Sequence, residues 1–264
     1  MADTLRILAI GDVVGQPGLR ALFAGLGDLV RRLGADLVVA NAENAADGFG
    51  LDPAGADRLF ACGVHVITSG NHIWQRREIL PMLDARPELL RPENYPPGVP
   101  GHGHCIVTVK DASVAVLNLE GRVNLSPLRD PFAAGRSVLR QTRGKARVSV
   151  VDFHAESVEE KEALAAYLDG EASAVFGTHT HVQTADERIL AKGTAFIADI
   201  GMTGPVEGVI GMRRETAIHR SLSQMPLKMA VQDGPSEIQG CLITVDARSG
   251  RATAIERVRE RSAV

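Results

Sequence analysis

Eight histidines occur in the 264-residue chain, and four of them stand just after short apolar runs. His72 follows Val64–Thr68 by way of Gly70 and Asn71, His154 follows Val148–Phe153, and His179 and His181 follow Ala174–Phe176. Carboxylates and amides take equivalent places: Asp12 after Leu5–Ile10, and Asn41, Glu43 and Asn44 after Asp36–Ala40. Imidazole, carboxylate and amide oxygen are ligands for borderline and hard first-row metal ions, and the lack of a nearby thiolate speaks against structural zinc. His179 and His181 are two residues apart, so in extended backbone they project to the same side as a chelating pair. Each segment alone has an ordinary explanation. Asp12 could be a turn residue before a helix, Asn41–Asn44 a polar loop, Asn71-His72 a tight turn, and His154 a satisfied structural histidine. The joint placement at five strand ends favours a shared site.

Seven candidate ligands (Asp12, Glu43, Asn44, Asn71, His154, His179 and His181) exceed what one ion takes from protein. They suit two ions about 3.5–4 Å apart sharing a carboxylate. Only Asp12 and Glu43 are anionic, so two divalent ions leave the site net positive. Such a site attracts phosphate and brings the pKa of a bound water toward neutrality. The resulting hydroxide could attack phosphorus in line while the ions stabilise the added charge. The leaving oxygen then needs a proton, and His72, next to a ligand residue, is the candidate general acid. Mixed N/O ligation favours iron or manganese, with zinc third. Arg122, Arg129, Arg136, Arg213 and Arg214 are candidates for phosphate contacts and Phe49 for stacking on a base. For each of these six, an exposed surface role is the simpler reading.

The elements that must position these residues follow from periodicity. Besides the five runs above, Ile106–Val109 and Val114–Leu117 read as buried strands, and Glu187–Leu190, Thr194–Ala198, Ile238–Val245 and Ala252–Glu256 as hairpin-connected ones. Pro17–Leu33, Pro53–Cys62, Arg76–Ala85 and Val158–Leu168 have helical spacing, with Asp52 capping Pro53 and Gly34 and Gly63 as stops. Strand–helix alternation gives an α/β fold with helices on sheet faces, treated as a single domain over 1–264. In open α/β sheets ligands bind at the carboxyl ends of strands, so parallel neighbours would bring the five clusters to one edge. Pro87–Gly103 reads as a long surface loop and Arg122–Ala134 as another, a candidate inserted lid.

A hydrophobic fraction of 45% and a charged fraction of 23% exclude a disordered chain. A net charge of −3 gives no basic surplus for a stable nucleic-acid complex. Cys62, Cys105 and Cys241 are scattered and odd in number, as expected of reduced thiols. There is no leader-like start and no run long enough for a membrane span, so the expectation is a cytoplasmic protein. Homo-oligomer formation is left open.

The series Gly11-Asp12, Gly70-Asn71-His72, His154 and Gly177-Thr178-His179-Thr180-His181 resembles the calcineurin-like metallophosphoesterase superfamily. More narrowly, Leu8–Gly15, Asn41–Asn44, Gly70–Trp74, Asp152–Glu156 and Gly201–Gly204 look like its bacterial YmdB-type branch, over nearly the whole chain. Two departures from the broad pattern stand out. Val14 replaces a histidine, and Asn41-Ala42-Glu43-Asn44 replaces an aspartate block. The resemblance implies that Glu43 bridges the two ions and that Asn44 compensates for the absent histidine. One ion would then take Asp12, Glu43, Asn44 and His181, and the other Glu43, Asn71, His154 and His179. It also implies two stacked mixed β-sheets flanked by α-helices, a di-iron centre, His72 as proton donor and phosphodiesterase activity on 2',3'-cyclic nucleotides. Two alternatives remain: a phosphomonoesterase of the nucleotidase or phosphoprotein type, and a regulatory or RNA-associated protein whose metal site senses nucleotides.

Overall fold

Leu5, Ile7 and Ala9 point one way along the first strand, and Leu8 and Ile10 the other, because side chains of extended backbone alternate. In a computed structural model, which describes residues 4–262, both sets are fully buried. The first set joins Val39, Val116, Val150, Phe176 and Ile243 in one apolar layer. The second joins Leu19, Leu22, Leu26 and Leu29 in another. A strand buried on both faces lies between a second sheet and a helical layer, and the rest of the chain follows from that arrangement.

Among the described residues the order is β1 (Thr4–Ile10), β2 (Asp12–Val13), α1 (Gly15–Leu33), β3 (Leu37–Asn41), α2 (Pro53–Ala61), β4 (Val66–Thr68), α3 (Leu80–Ala85), β5 (His104–Val109), β6 (Ala112–Glu120), α4 (Pro131–Thr142), β7 (Val148–His154), α5 (Val158–Tyr167), β8 (Ala174–Thr178), β9 (Arg188–Ile189), β10 (Ala195–Ile197), β11 (Met202–Pro205), α6 (Arg214–Ser223), β12 (Ser236–Asp246) and β13 (Ala252–Arg261). One sheet runs β2-β11-β12-β1-β3-β4, with β13 on the other edge of β12. The second runs β5-β6-β7-β8-β10-β9. Both are mixed: β1, β3 and β4 are parallel, as are β6, β7, β8 and β10, while β5, β9, β12 and β13 pair antiparallel. Helices α1 and α2 cover the first sheet. Helices α4 and α5 cover the second through Val138, Leu139 and Leu164 against Leu119, Val151 and Phe153. The result is the expected stack of two mixed sheets between helical layers.

Local chemistry sets the element ends. The Asp52 side chain accepts from Gly55 N–H at 2.6 Å, one residue before Pro53. Helix α1 stops where Gly34 turns left-handed.

Three readings need correction. Arg76–Ala85 is not one helix: two 3-10 turns, Ile73–Gln75 and Arg77–Ile79, lead into the short α3. Arg76 is extended (φ −112°, ψ 100°), and its guanidinium donates to Ala46 O and Phe49 O, which draws the chain off the helical path. Arg122–Ala134 is not a free lid. Its last residues open α4, capped by Asp130, and its start is tied down where Arg122 N–H and Val123 N–H donate to Glu160. The five ligand-bearing strands are also not neighbours in one sheet. Three belong to the first sheet and two to the second, and their carboxyl ends meet across the sandwich.

Candidate metal centre

The strand ends are close enough for backbone and side chains from both sheets to interlock. Asn41 Nδ2 donates to Asp152 Oδ2 at 3.0 Å, from β3 across to β7. Gly70, after β4, lies so near His154 and the Glu43 carboxylate that a Cβ there would overlap both. A glycine before Asn71 is therefore required by space, and not by an unusual φ.

His154 is the hub. Its Nε2 lies 3.1 Å from Glu43 Oε1, 3.1 Å from Asn71 Oδ1 and 3.0 Å from His179 Nδ1. The ligand atoms of Glu43, His154 and His179 all fall within 4.8 Å of one another. Asp12 and Asn44 complete the ring. Asp12 Oδ2 accepts from His179 N–H at 3.0 Å, and Oδ1 is buried without a hydrogen-bond partner, 3.9 Å from His154 Nδ1. Asn44 Nδ2 lies 3.0 Å from His181 Nε2 and 3.2 Å from Glu43 Oε1. Asn44 Oδ1 faces His72 Nδ1 at 2.9 Å. Thus all seven sequence-predicted ligands, and His72 beside them, come together.

The outer nitrogens of the three inner histidines are each tied to an oxygen. His154 Nδ1 donates to Thr178 Oγ1 at 2.9 Å, and Thr178 Oγ1 in turn donates to Asp152 Oδ1 at 2.7 Å. His179 Nε2 meets Glu156 Oε2 at 3.0 Å, and His181 Nδ1 donates to Ile210 O at 2.9 Å. The other nitrogens of His154 and His179 face Glu43, and that of His181 faces Asn44. This is how outer partners fix the tautomer and orientation of metal-ligating histidines.

His179 and His181 arrive there by an unexpected route. The extended i, i+2 geometry does not hold, since both have positive φ, 101° and 64°. Left-handed backbone outside glycine is costly and needs external support. Asp199 provides it: Oδ2 accepts from Thr180 N–H at 3.1 Å and Thr180 Oγ1 at 2.9 Å, and Oδ1 from Gly201 N–H at 2.9 Å. Lys161 Nζ in turn sits 2.8 Å from Asp199 Oδ2, with both side chains buried.

Charge is arranged around the same hub. Burial opposes the His154 imidazolium, but the Glu43 and Asp12 carboxylates outweigh it and hold the ring up at about 9. Burial raises Glu43 in turn, yet His154 and His72 take it well below the usual carboxylate range. Burial and the His154 charge press His179 down to about 3. Asp12 is raised by burial despite His181 and His154. One positive charge thus sits among converging anions and lone pairs, with an orphaned carboxylate oxygen beside it. The donor set fits metal cations.

An open pocket of about 290 Å³ lies over these residues. Phe49 lines it edge-on to His72, with ring centroids 5.1 Å apart. Opposite stand Ile210, Met212, Met229 and Arg220. Nothing in the sequence singled out Arg220, which is one cation among several on an exposed helix. The arginines that were singled out are placed elsewhere. Arg122 pairs with Asp130, Arg129 donates to Glu93 O, and Arg136 pairs with Glu171 and lies over Tyr167. Arg213 and Arg214 start α6, exposed and outside the pocket lining.

A family model described as YmdB-like protein matches residues 8–258. The chain belongs to this family. It is 44% identical over 254 residues to the 2',3'-cyclic-nucleotide 2'-phosphodiesterase of Bacillus subtilis (strain 168), covering 96% of each. Among solved structures, a hypothetical protein from Thermus thermophilus is 41% identical, with a TM-score of 0.92 over 98% of this chain and 100% of that one. A structure reported as a novel phosphatase from Mycoplasma pneumoniae is 31% identical, with a TM-score of 0.93 over 99% and 95%. Membership in the YmdB-like family therefore extends to the whole two-sheet stack that brings the strand ends together. No helix among the described residues is long and apolar enough to cross a membrane.

Proposed function

We propose that the chain is a dinuclear-metal phosphodiesterase acting on small phosphodiesters, with 2',3'-cyclic nucleotides as the favoured class. The observation that carries the reading is the convergence of three histidine ring nitrogens, Glu43, Asn71 and the unpartnered Asp12 oxygen, each histidine oriented from behind. Asp12, Glu43, Asn44 and His181 would hold one ion, and Glu43, Asn71, His154 and His179 the other, with iron first and manganese next by ligand type. When bound, such ions supply an activated water and neutralise charge at phosphorus.

The chain's own residues do the rest. His154 would have to give up its extra proton to hold an ion, which would couple metal uptake to proton release. For Asn44 to offer its oxygen, the amide turns over and hands Nδ2–H to His72 Nδ1. The ring proton of His72 then sits on Nε2, where it can be donated to the departing ribose oxygen. Phe49 and the Met212–Met229 wall give a nucleobase an apolar slot, and Arg220 offers a cation at its mouth. Three free thiols fit a reducing compartment, in line with a cytoplasmic enzyme, and self-association is compatible with all of this.

The test is a substrate panel with metal analysis. Hydrolysis of 2',3'-cyclic nucleotides should exceed that of nucleoside monophosphates and cease on chelation. The same metal centre would serve a phosphatase, as the reported nature of the Mycoplasma relative illustrates, so a preference for monophosphates would overturn the diesterase assignment. His72→Ala should retain metal and lose about 10²–10⁴-fold in kcat. An undiminished kcat would remove His72 from the proton-donor role.

A further inference from the structure

The opposite edge of the second sheet carries a separate concentration of charge. Strand β7 ends at His154 and starts at Val148, about 20 Å away at ~3.3 Å per residue. Around that start, the turn after α4 meets the α5–β8, β9–β10 and β12–β13 turns. They enclose a cavity of about 180 Å³ whose lining includes Arg143, Arg147, Lys192 and Arg251.

The floor of this cavity is fixed by hydrogen bonds between the turns. Ser173, 1% exposed, donates from Oγ to Gly250 O at 2.6 Å and accepts from Ser149 N–H at 3.1 Å. Ala252 N–H donates to Gly193 O at 2.9 Å, and Gly170 N–H to Thr194 Oγ1 at 2.9 Å. The stem of Arg251 lies against Gly193, where a Cβ would crowd it. The charge above this floor is uncompensated. Among the described residues none of the four cations has a carboxylate partner at salt-bridge distance. The one carboxylate on the wall, Glu171, is already held by Arg136 at 2.9 Å and Arg140 at 3.8 Å.

Four cations from three chain segments gathered around a polar cavity repel one another unless an anion sits between them. Guanidinium forks match phosphate oxygens two at a time. The volume suits a phosphate group with a small substituent and not a length of polynucleotide. We propose that this cavity is a second anion site, distinct from the metal centre, that takes a phosphate dianion, either inorganic phosphate or the monoester group of a small metabolite.

The test is calorimetric titration of the protein as purified with inorganic phosphate, repeated on Arg147→Gln/Arg251→Gln. A metal centre also takes phosphate, so the wild type should show two classes of site. The variant should lose one class, or bind it at least tenfold more weakly, with metal content and hydrolysis rate unchanged. Lys192→Gln, a single change on an exposed turn, should weaken the same class and covers the case in which the double variant does not fold. Adenosine 3'-monophosphate binding that class more tightly than phosphate would mark a metabolite site, and equal binding a free-phosphate site. Two classes persisting unchanged in both variants, or a single class in the wild type, would overturn the proposal. So would variant-sensitive binding seen only with single-stranded RNA.

Discussion

Replacing Lys161 by methionine tests how the two left-handed histidines are held. Methionine keeps the apolar stem and removes the ammonium, leaving Asp199 buried without its cation. Lys161 Nζ and Asp199 Oδ2 are 2.8 Å apart, with side chains 1% and 2% exposed. Removing one member of such a buried pair costs about 3–5 kcal/mol, a large part of a typical total of about 5–15 kcal/mol. At about 2–4 °C per kcal/mol for a chain of this size, Tm should fall by roughly 6–20 °C. The loss has a functional side. Asp199 anchors Thr180 between His179 and His181, whose positive φ values each store on the order of 1–3 kcal/mol. Loosening that anchor lets the turn relax and should weaken metal binding about 10–100-fold, the usual size of an outer-partner effect. The assays are urea unfolding of metal-stripped protein and metal retention against a competing chelator. Adding Asp199→Asn to Lys161→Met should recover part of the stability, because no buried charge then remains, but not the metal affinity. A Lys161→Met chain that unfolds within about 0.5 kcal/mol of wild type and keeps its metal would refute the anchoring argument.

Two further outcomes follow from the same geometry. Gly70→Ala would push a methyl group into His154 and the Glu43 carboxylate, both buried; metal content and rate should collapse while circular dichroism is unchanged, and a fully loaded, active variant would show that the cluster can yield. Burial, opposed by His154 and Tyr95 and reinforced by Glu43, holds the Glu120 carboxyl up at about 7. The folded state therefore keeps a proton that the unfolded chain releases near 4.5, and stability falls as pH rises through that window. In metal-stripped Glu120→Gln the decline between about pH 4.5 and 7 should flatten, with a gain of about 1–3 kcal/mol at pH 8; a urea midpoint that tracks wild type at every pH would reject this.

The positions of the metal-capable residues were legible because each follows an apolar run, and strand ends are where side chains leave the core. Which sheet each strand joins was not. Apart from the half-buried Arg6, Leu5–Ile10 and Val148–Phe153 are both buried throughout, and a run buried on both faces carries no periodicity that names its neighbours. The conformation of Thr178–His181 was also hidden, since Asp12, Lys161 and Asp199, all distant in sequence, impose it. Arg122 and Arg136 keep to the simpler surface reading for a local reason: they have acidic partners of their own at Asp130 and Glu171. Asp152 is different. A carboxylate inside Val148–Phe153 is expensive to bury without partners, and Thr68, Asn41 and Thr178 meet that cost.

The departure at Val14 is where sequence and structure together explain more than either alone. The broad superfamily pattern has a histidine there, and its absence looks like a lost ligand. Yet Val14 and Asn44 are bridged in parallel, and Gly15 N–H donates to Asn44 O at 2.9 Å. The two positions are backbone neighbours across that bridge. Val14 is completely buried against Gly204 and Gly211, where an imidazole would need a partner of its own. Under the proposed ligand assignment, the substitution moves one donor across one backbone bridge and exchanges a nitrogen for an amide oxygen. Restoring the pattern with Val14→His should therefore add no ligand while Asn44 is present. Paired with Asn44→Ala, it would have to recover metal binding for the two positions to be interchangeable.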